Sequence, residues 1–183
     1  KLDLARELMH RMDEKGVKPE DIKGIEDISK LPFLTKADLR DAYPYGLLGK
    51  PLGECVRIHS TSGTTGRRVV AFYTQHDVDL WEDCCARAIV AAGGTKDDVC
   101  HVSYGYGLFT GGLGAHSGAE KLGCTVIPMS GGQTERQIQL IQDFQPDTIL
   151  ATPTYLLTIA DAMKRAGIDP RSTSLKNAVL GAE

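Results

Sequence analysis

Apolar residues at helical spacing open the chain. Leu4, Leu8 and Met12, with Ala5 and Met9 beside them, predict a helix that ends at Gly16. From Pro19 to Pro44 no long period holds, which predicts short helices and turns. Within that stretch Thr35 is an expected N-cap and Asp38, three residues on, its reciprocal partner. Two β-type runs follow, residues 56–59 and 69–73, and predict a hairpin. Thr74 then caps an amphipathic helix whose expected apolar face is Val78, Trp81, Cys85, Ala88, Ile89 and Ala92. Gly93-Gly94 ends it.

Beyond Gly94 short apolar runs alternate with helical patterns. Residues 99–102, 125–127, 148–151 and 177–180 read as strands. Between them lie predicted helices reaching Lys121, running from Thr134 to Phe144, and running from Pro153 to Ala166. Thr134 and Gln137 have capping-box spacing for the second of these. Strand and helix in alternation, with short links and buried-strand composition, predict an α/β fold of parallel βαβ units. Such units cross right-handed and hold ligands at the carboxyl ends of the strands. Ser103-Tyr104-Gly105, Ser130-Gly131-Gly132, Thr152-Pro153 and Gly181-Ala182-Glu183 all fall at those ends. The expected division is a helical segment, residues 1–54, then an α/β segment, residues 55–183, with the hairpin at its start.

Composition narrows the partners. The 183 residues are 42% hydrophobic and 25% charged, ordinary for a soluble globular protein. A net charge of −3 gives no sign of nucleic-acid or membrane affinity. No apolar run approaches the ~20 residues of a membrane span, and no signal-peptide pattern is present. The cysteines are Cys55, Cys84, Cys85, Cys100 and Cys124. An odd count without C-x-x-C predicts reduced, mostly buried thiols in a cytoplasmic protein, with no zinc spacing. Lys1 stands inside an apparent helix and Glu183 follows a strand directly, so a piece of a longer protein is expected.

Ser60-Thr61-Ser62-Gly63-Thr64-Thr65-Gly66-Arg67-Arg68 lies between the two hairpin runs. Hydroxyls donate hydrogen bonds, glycines let backbone N–H groups approach closely, and guanidiniums supply charge, so this loop can wrap a polyphosphate. It lacks the G-x-x-x-x-G-K-[ST] spacing of a Walker A loop. An ordinary polar turn is the alternative, and the contiguity of residues 61–66 favours the phosphate reading. A second glycine pattern, Gly105-x-Gly107-x-x-x-Gly111, imitates a dinucleotide fingerprint. That reading needs an acid at the end of the next strand, and Pro128-Met129-Ser130 supplies none.

The loop resembles the phosphate-binding loop of the acyl-adenylate-forming enzymes, with Arg67 and Arg68 where Lys and Pro are common. Residues 104–116, 122–128, 131–137 and 181–183, and the early run 31–40, are similar to the phenylacetate-CoA ligases within that superfamily. The resemblance implies an acyl-adenylate ligase whose members run to more than twice this length. It implies that Thr61, Ser62, Gly63, Thr64, Thr65, Gly66 and Arg67 contact ATP phosphates. Tyr104, Phe109, Gly181 and Ala182 would line the acyl pocket, with Glu183 near adenine. ATP, Mg²⁺ and coenzyme A are the implied cofactors. The Mg²⁺-binding Glu, the adenylation Lys and a mobile carboxy-terminal domain would lie beyond Glu183, so the piece alone would be inactive. An aryl acid, ATP and CoA are the expected partners, without nucleic acid or membrane, and a homodimer is left open. His116 is placed by the resemblance near the adenylate, with a packed helix histidine as the equal alternative. His59 and His101 read as strand residues, His101 with a structural hydrogen bond, and Lys164, Arg165 and Arg171 as a solvated face. Two other classes stay open: an adenylating enzyme for another aryl or amino acid, and a non-catalytic nucleotide-binding or interaction module.

Overall fold

The computed structural model describes residues 4–63 and 66–182. The chain forms two compact units, residues 1–75 and 76–183. The division therefore falls after Gln75 and leaves the hairpin with the helical residues.

In the first unit α1 (Leu4–Glu14) buries Met12, the last member of its predicted stripe. Short 3₁₀ turns lead to α2 (Lys36–Asp41). Its expected cap is present: the Asp38 N–H donates to Thr35 Oγ1 at 3.4 Å, and the Thr35 N–H donates to Asp38 Oδ2 at 2.7 Å. Asp38 also accepts two bonds from Arg11, at 2.7 and 3.2 Å, which clip α1 to α2. This fork is the strong, directional form of an ion pair. β1 (Cys55–Ser60) and β2 (Val70–Thr74) pair antiparallel, with Ser60 opposite Val70. His59 is buried in β1, edge-on to Tyr73 with ring centroids 5.5 Å apart.

In the second unit α3 (Gln75–Ala91) precedes β3 (Val99–Val102), α4 (Gly111–Leu122), β4 (Thr125–Ile127), α5 (Thr134–Phe144), β5 (Thr148–Ala151), α6 (Pro153–Arg165) and β6 (Asn177–Leu180). The four strands form one sheet in the order β4-β3-β5-β6, and every pair is parallel. Side chains alternate across a strand, so β3 and β5 feed two cores. Cys100, Val102 and Leu150 pack with Ile89 of α3 and with Ala115 and Ala119 of α4. Ile149 and Ala151 pack with Ile138, Ile141, Ile159 and Met163 of α5 and α6. At the amino ends of the strands the buried Asp98 accepts from Thr148 Oγ1 at 2.7 Å and Thr95 Oγ1 at 2.8 Å. That edge is closed by structural hydrogen bonds, which leaves the carboxyl edge for ligands.

Three sequence expectations need correction. The buried residues of α3 are Val78, Ala86 and Ile89, while Ala88 and Ala92 are exposed. Gly118 of α4 explains the shift. A Cβ there would lie 2.3 Å from Cys85 Cβ and 3.1 Å from the Ala86 nitrogen, so the helices touch along Cys85–Ala86. Secondly, Thr134 and Gln137 do not cap α5. Gln133 holds the N-cap position in a left-handed conformation, without a side-chain cap bond. Gln137 turns inward because buried polar groups of β3 and the following loop need partners. Thirdly, only Cys100 and Cys124 are buried; Cys84 is exposed and Cys55 and Cys85 are half-buried.

Candidate functional site

The loop after β1 continues the hairpin for one step. The Thr61 N–H donates to Val69 O at 3.0 Å and the Val69 N–H to Thr61 Oγ1 at 3.1 Å. Beyond that step the chain opens into the glycine-rich tip. Gly63 has φ +71° and Gly66 φ +131°, both in the region that disfavours side chains. The Gly66 N–H donates to Gly63 O at 3.2 Å, and Arg68 reaches back to Ser60 Oγ at 3.4 Å. A Cβ at Gly63 would stand 2.6 Å from Arg68 Cγ, so glycine is needed there for space as well as conformation. Ser62, Arg67 and Arg68 are exposed. A tip with backbone N–H groups, hydroxyls and guanidiniums suits an anion with several oxygens. Thr64 and Thr65 lie outside the described residues.

The second unit contains an apolar cavity of about 210 Å³ at the carboxyl edge of its sheet. Tyr104, just after β3, and Gly181 and Ala182, just after β6, line it. Leu150 and Val179 contribute from β5 and β6, and Thr110, Gly111, Gly114 and Ala115 from the start of α4. Trp81, Cys85 and Ala88 of α3 complete the wall. The Tyr104 hydroxyl donates toward Val179 O at 3.4 Å and Gly181 O at 3.5 Å, which fixes its ring over the end of β6. Burial raises the Tyr104 pKa, so the phenol stays protonated and remains a donor. Ala182 has φ +62°, a left-handed conformation that costs a non-glycine residue roughly 1–2 kcal/mol.

Three of the predicted pocket residues, Tyr104, Gly181 and Ala182, thus share one cavity. Phe109 does not line it and is 56% exposed. Glu183 lies outside the described residues. The sequence placed Trp81, Cys85 and Ala88 only on the apolar face of a helix, while Gly114 closes the segment 104–114 that the resemblance put along the pocket. The available signal was their spacing: Trp81, Cys85 and Ala88 lie on one stripe of α3, and Gly114 takes the Trp81 ring. A Cβ at 114 would come within 2.5 Å of Trp81 Cζ2.

His116 lies in α4 with Nδ1 3.1 Å from the Tyr106 hydroxyl and Nε2 3.1 Å from Glu120. Both ring nitrogens are therefore engaged by protein groups. Burial, with the Glu120 charge adding, pushes the Tyr106 phenol up to about 12. His101 is fully buried and meets Gln137 Oε1 through Nε2, the structural bond expected of it. Among the described residues no group of three or more His, Cys, Asp or Glu is placed to hold a metal ion. No helix of the described residues is long and apolar enough to cross a membrane.

No family model matches the chain. Curated relatives do. A phenylacetate-coenzyme A ligase of Aromatoleum evansii is 59% identical over 171 residues, 93% of this chain and 39% of that protein. Ligases of the same name from Pseudomonas putida and Escherichia coli are 59% and 54% identical, across 94% of this chain and 39% and 40% of theirs. The chain thus spans about two-fifths of the length of the relatives it matches. Among solved structures, a 2-hydroxyisobutyryl-CoA ligase in complex with 2-HIB-AMP and CoA superposes with a TM-score of 0.87 at 27% identity, over 95% of this chain and 38% of that one. An open conformation of the same ligase gives 0.87 at 26% identity, covering 96% and 42%. Over the stretch that it spans, the chain is similar to phenylacetate-coenzyme A ligases and shares its fold with the corresponding part of an acyl-CoA ligase.

Proposed function

We propose that the protein serves an ATP-dependent ligase that joins an aryl-acetic acid, phenylacetate in the first instance, to coenzyme A. The observation that carries this reading is the apolar cavity at the carboxyl edge of the parallel sheet, walled by Tyr104 and Trp81 and floored by Gly111 and Gly114. Its lining suits a flat apolar ring, which aromatic neighbours grip by stacking or edge contact worth roughly 0.5–1.5 kcal/mol beyond burial. The similarity to phenylacetate-coenzyme A ligases supports the same assignment.

The reaction has two balanced steps. A carboxylate oxygen of the acid attacks the α-phosphorus of ATP, and the bond to the bridging oxygen breaks to release pyrophosphate. The CoA thiolate then attacks the acyl carbon of the adenylate, and AMP leaves with the bonding electrons, giving the thioester. Residues 61–67 hold the phosphates in this reading: the backbone N–H groups of the tip donate, Thr61, Ser62, Thr64 and Thr65 add hydroxyls, and Arg67 adds charge. Tyr104, Gly181 and Ala182 hold the acyl group, with Glu183 on the adenine side. Positioning and charge stabilisation account for most of the work of such a transfer. Mg²⁺, when bound to ATP, neutralises phosphate charge.

Acid-dependent exchange of pyrophosphate into ATP by the whole protein tests the assignment. Phenylacetate should rank among the best of a panel of aryl and aliphatic acids. Exchange with medium-chain fatty acids and none with phenylacetate would refute it.

A further inference from the structure

Gln137 is fully buried near the first turn of α5, yet its carboxamide makes four hydrogen bonds. Its Oε1 accepts from His101 Nε2 and, at 3.0 Å, from Ser103 Oγ; both donors belong to β3 or its end. Its Nε2 donates to Ser130 O at 2.7 Å and Gly132 O at 3.0 Å, in the loop between β4 and α5. One amide therefore uses its full capacity to join two neighbouring strand-end loops. The loop it holds is not relaxed chain: Ser130 has φ +71° and Gln133 φ +52°. Ser130 in turn meets the segment that enters the cavity. The Tyr106 N–H donates to Ser130 Oγ at 3.4 Å, and a Cβ at Gly131 would lie 3.5 Å from Ser103 O and 3.6 Å from Gly105 N. Tyr104 sits between those contacts and lines the cavity.

We propose that Gln137 is a positioning residue for the acyl site: it locks the 130–132 loop against residues 103–106 and thereby sets Tyr104 in the cavity wall. This rests on the reading of that cavity as the acyl site. The arrangement explains why the side chain is an amide. Leucine or methionine would match its volume but take this partner from the buried His101 imidazole and Ser103 hydroxyl and from Ser130 O, a costly change, while Gly132 O keeps the bond from the Tyr155 hydroxyl at 2.6 Å. Glutamate would accept from His101 and Ser103 but could not donate to Ser130 and Gly132. The two halves of the clamp can therefore be separated by substitution.

Hydrogen exchange and ligand binding on the 183-residue chain test this with Gln137→Glu, Gln137→Met and Ser130→Ala. The Tyr106 amide should exchange at least about tenfold faster in Gln137→Glu and Ser130→Ala, while amides of β5 keep their protection. Trp81, the sole tryptophan, lines the same cavity and reports phenylacetate binding by its emission. In Gln137→Glu the dissociation constant should rise about tenfold or more; the melting temperature should fall as well, because a carboxyl replaces a fully buried amide, so affinity is read well below it. If Gln137→Met fails to fold, the other two variants still decide. Unchanged Tyr106 exchange in both would overturn the proposal, as would unchanged phenylacetate affinity in Gln137→Glu. A wild-type chain in which Trp81 ignores every acid would count against the acyl reading, and the proposal, which rests on it, would fall with it; local exchange would then report only on the clamp.

Discussion

Gly114 and the Trp81 ring share a contact that admits no further atom. A Cβ at 114 would lie 2.5 Å from Trp81 Cζ2, well inside van der Waals contact. Gly114→Ala should therefore displace the indole, narrow the cavity and destabilise the chain by about 1–3 kcal/mol. Thermal melting and the Trp81 emission spectrum check this; an unchanged spectrum with an unchanged melting point would contradict it. The loop proposed to hold phosphate carries a complementary prediction. Replacing Thr64, Thr65 and Arg67 together by Ala should lower pyrophosphate exchange on the order of a hundredfold while the melting temperature holds, since each lost contact to phosphate is worth about 1–3 kcal/mol. Arg67→Lys should be mild, because it keeps the charge. The loop could be singled out in the sequence as a candidate because its chemistry is contiguous: hydroxyls, glycines and arginines follow one another. Trp81 and Gln137 could not, because their roles depend on neighbours far along the chain. An apolar stripe on a helix looks the same whether it meets a core or a cavity. A threonine followed three residues later by glutamine looks the same whether the amide caps the helix or turns to a buried histidine.

The elements themselves followed the hydrophobic pattern closely. All four parallel strands fall where short apolar runs predicted them; the central β3 and β5 are buried on both faces and cannot hide their composition, while the edge strands β4 and β6 are partly exposed. The sheet order was not legible, since it is set by how helices pack on either face. The α2 cap was, and it carries a pH prediction. The Arg11 guanidinium, with the Thr35 backbone and hydroxyl, holds the Asp38 carboxyl well below its ordinary value of 3.8. The folded state thus prefers the ionised form. The resulting stability is present above pH 3.8 and is lost as pH falls through the lower folded value. Acid-unfolding curves of wild type and Asp38→Asn should diverge above pH 3.8 and converge in stronger acid. Because the pair is solvent-accessible, the gap should shrink as salt is added. Curves that coincide at every pH would show that the fork between α1 and α2 contributes nothing.

At the scale of the whole molecule, the second unit closes one edge of its sheet with structural hydrogen bonds and leaves a cavity at the other. This follows the general rule that open parallel sheets bind ligands beyond their carboxyl ends. The glycine-rich start of α4 makes the cavity possible by keeping side chains out of it, and the tryptophan of α3 gives it an aromatic wall. Such a cavity should select acids by ring shape. A fluorescence titration of Trp81 with phenylacetate, set beside octanoate, tests this most directly, because the reporter stands in the cavity itself. Saturable change with phenylacetate, at a lower dissociation constant than for octanoate, is the predicted result. Emission that does not respond to phenylacetate, or that responds equally well to the straight-chain acid, would contradict the assignment of this cavity to an aryl acid.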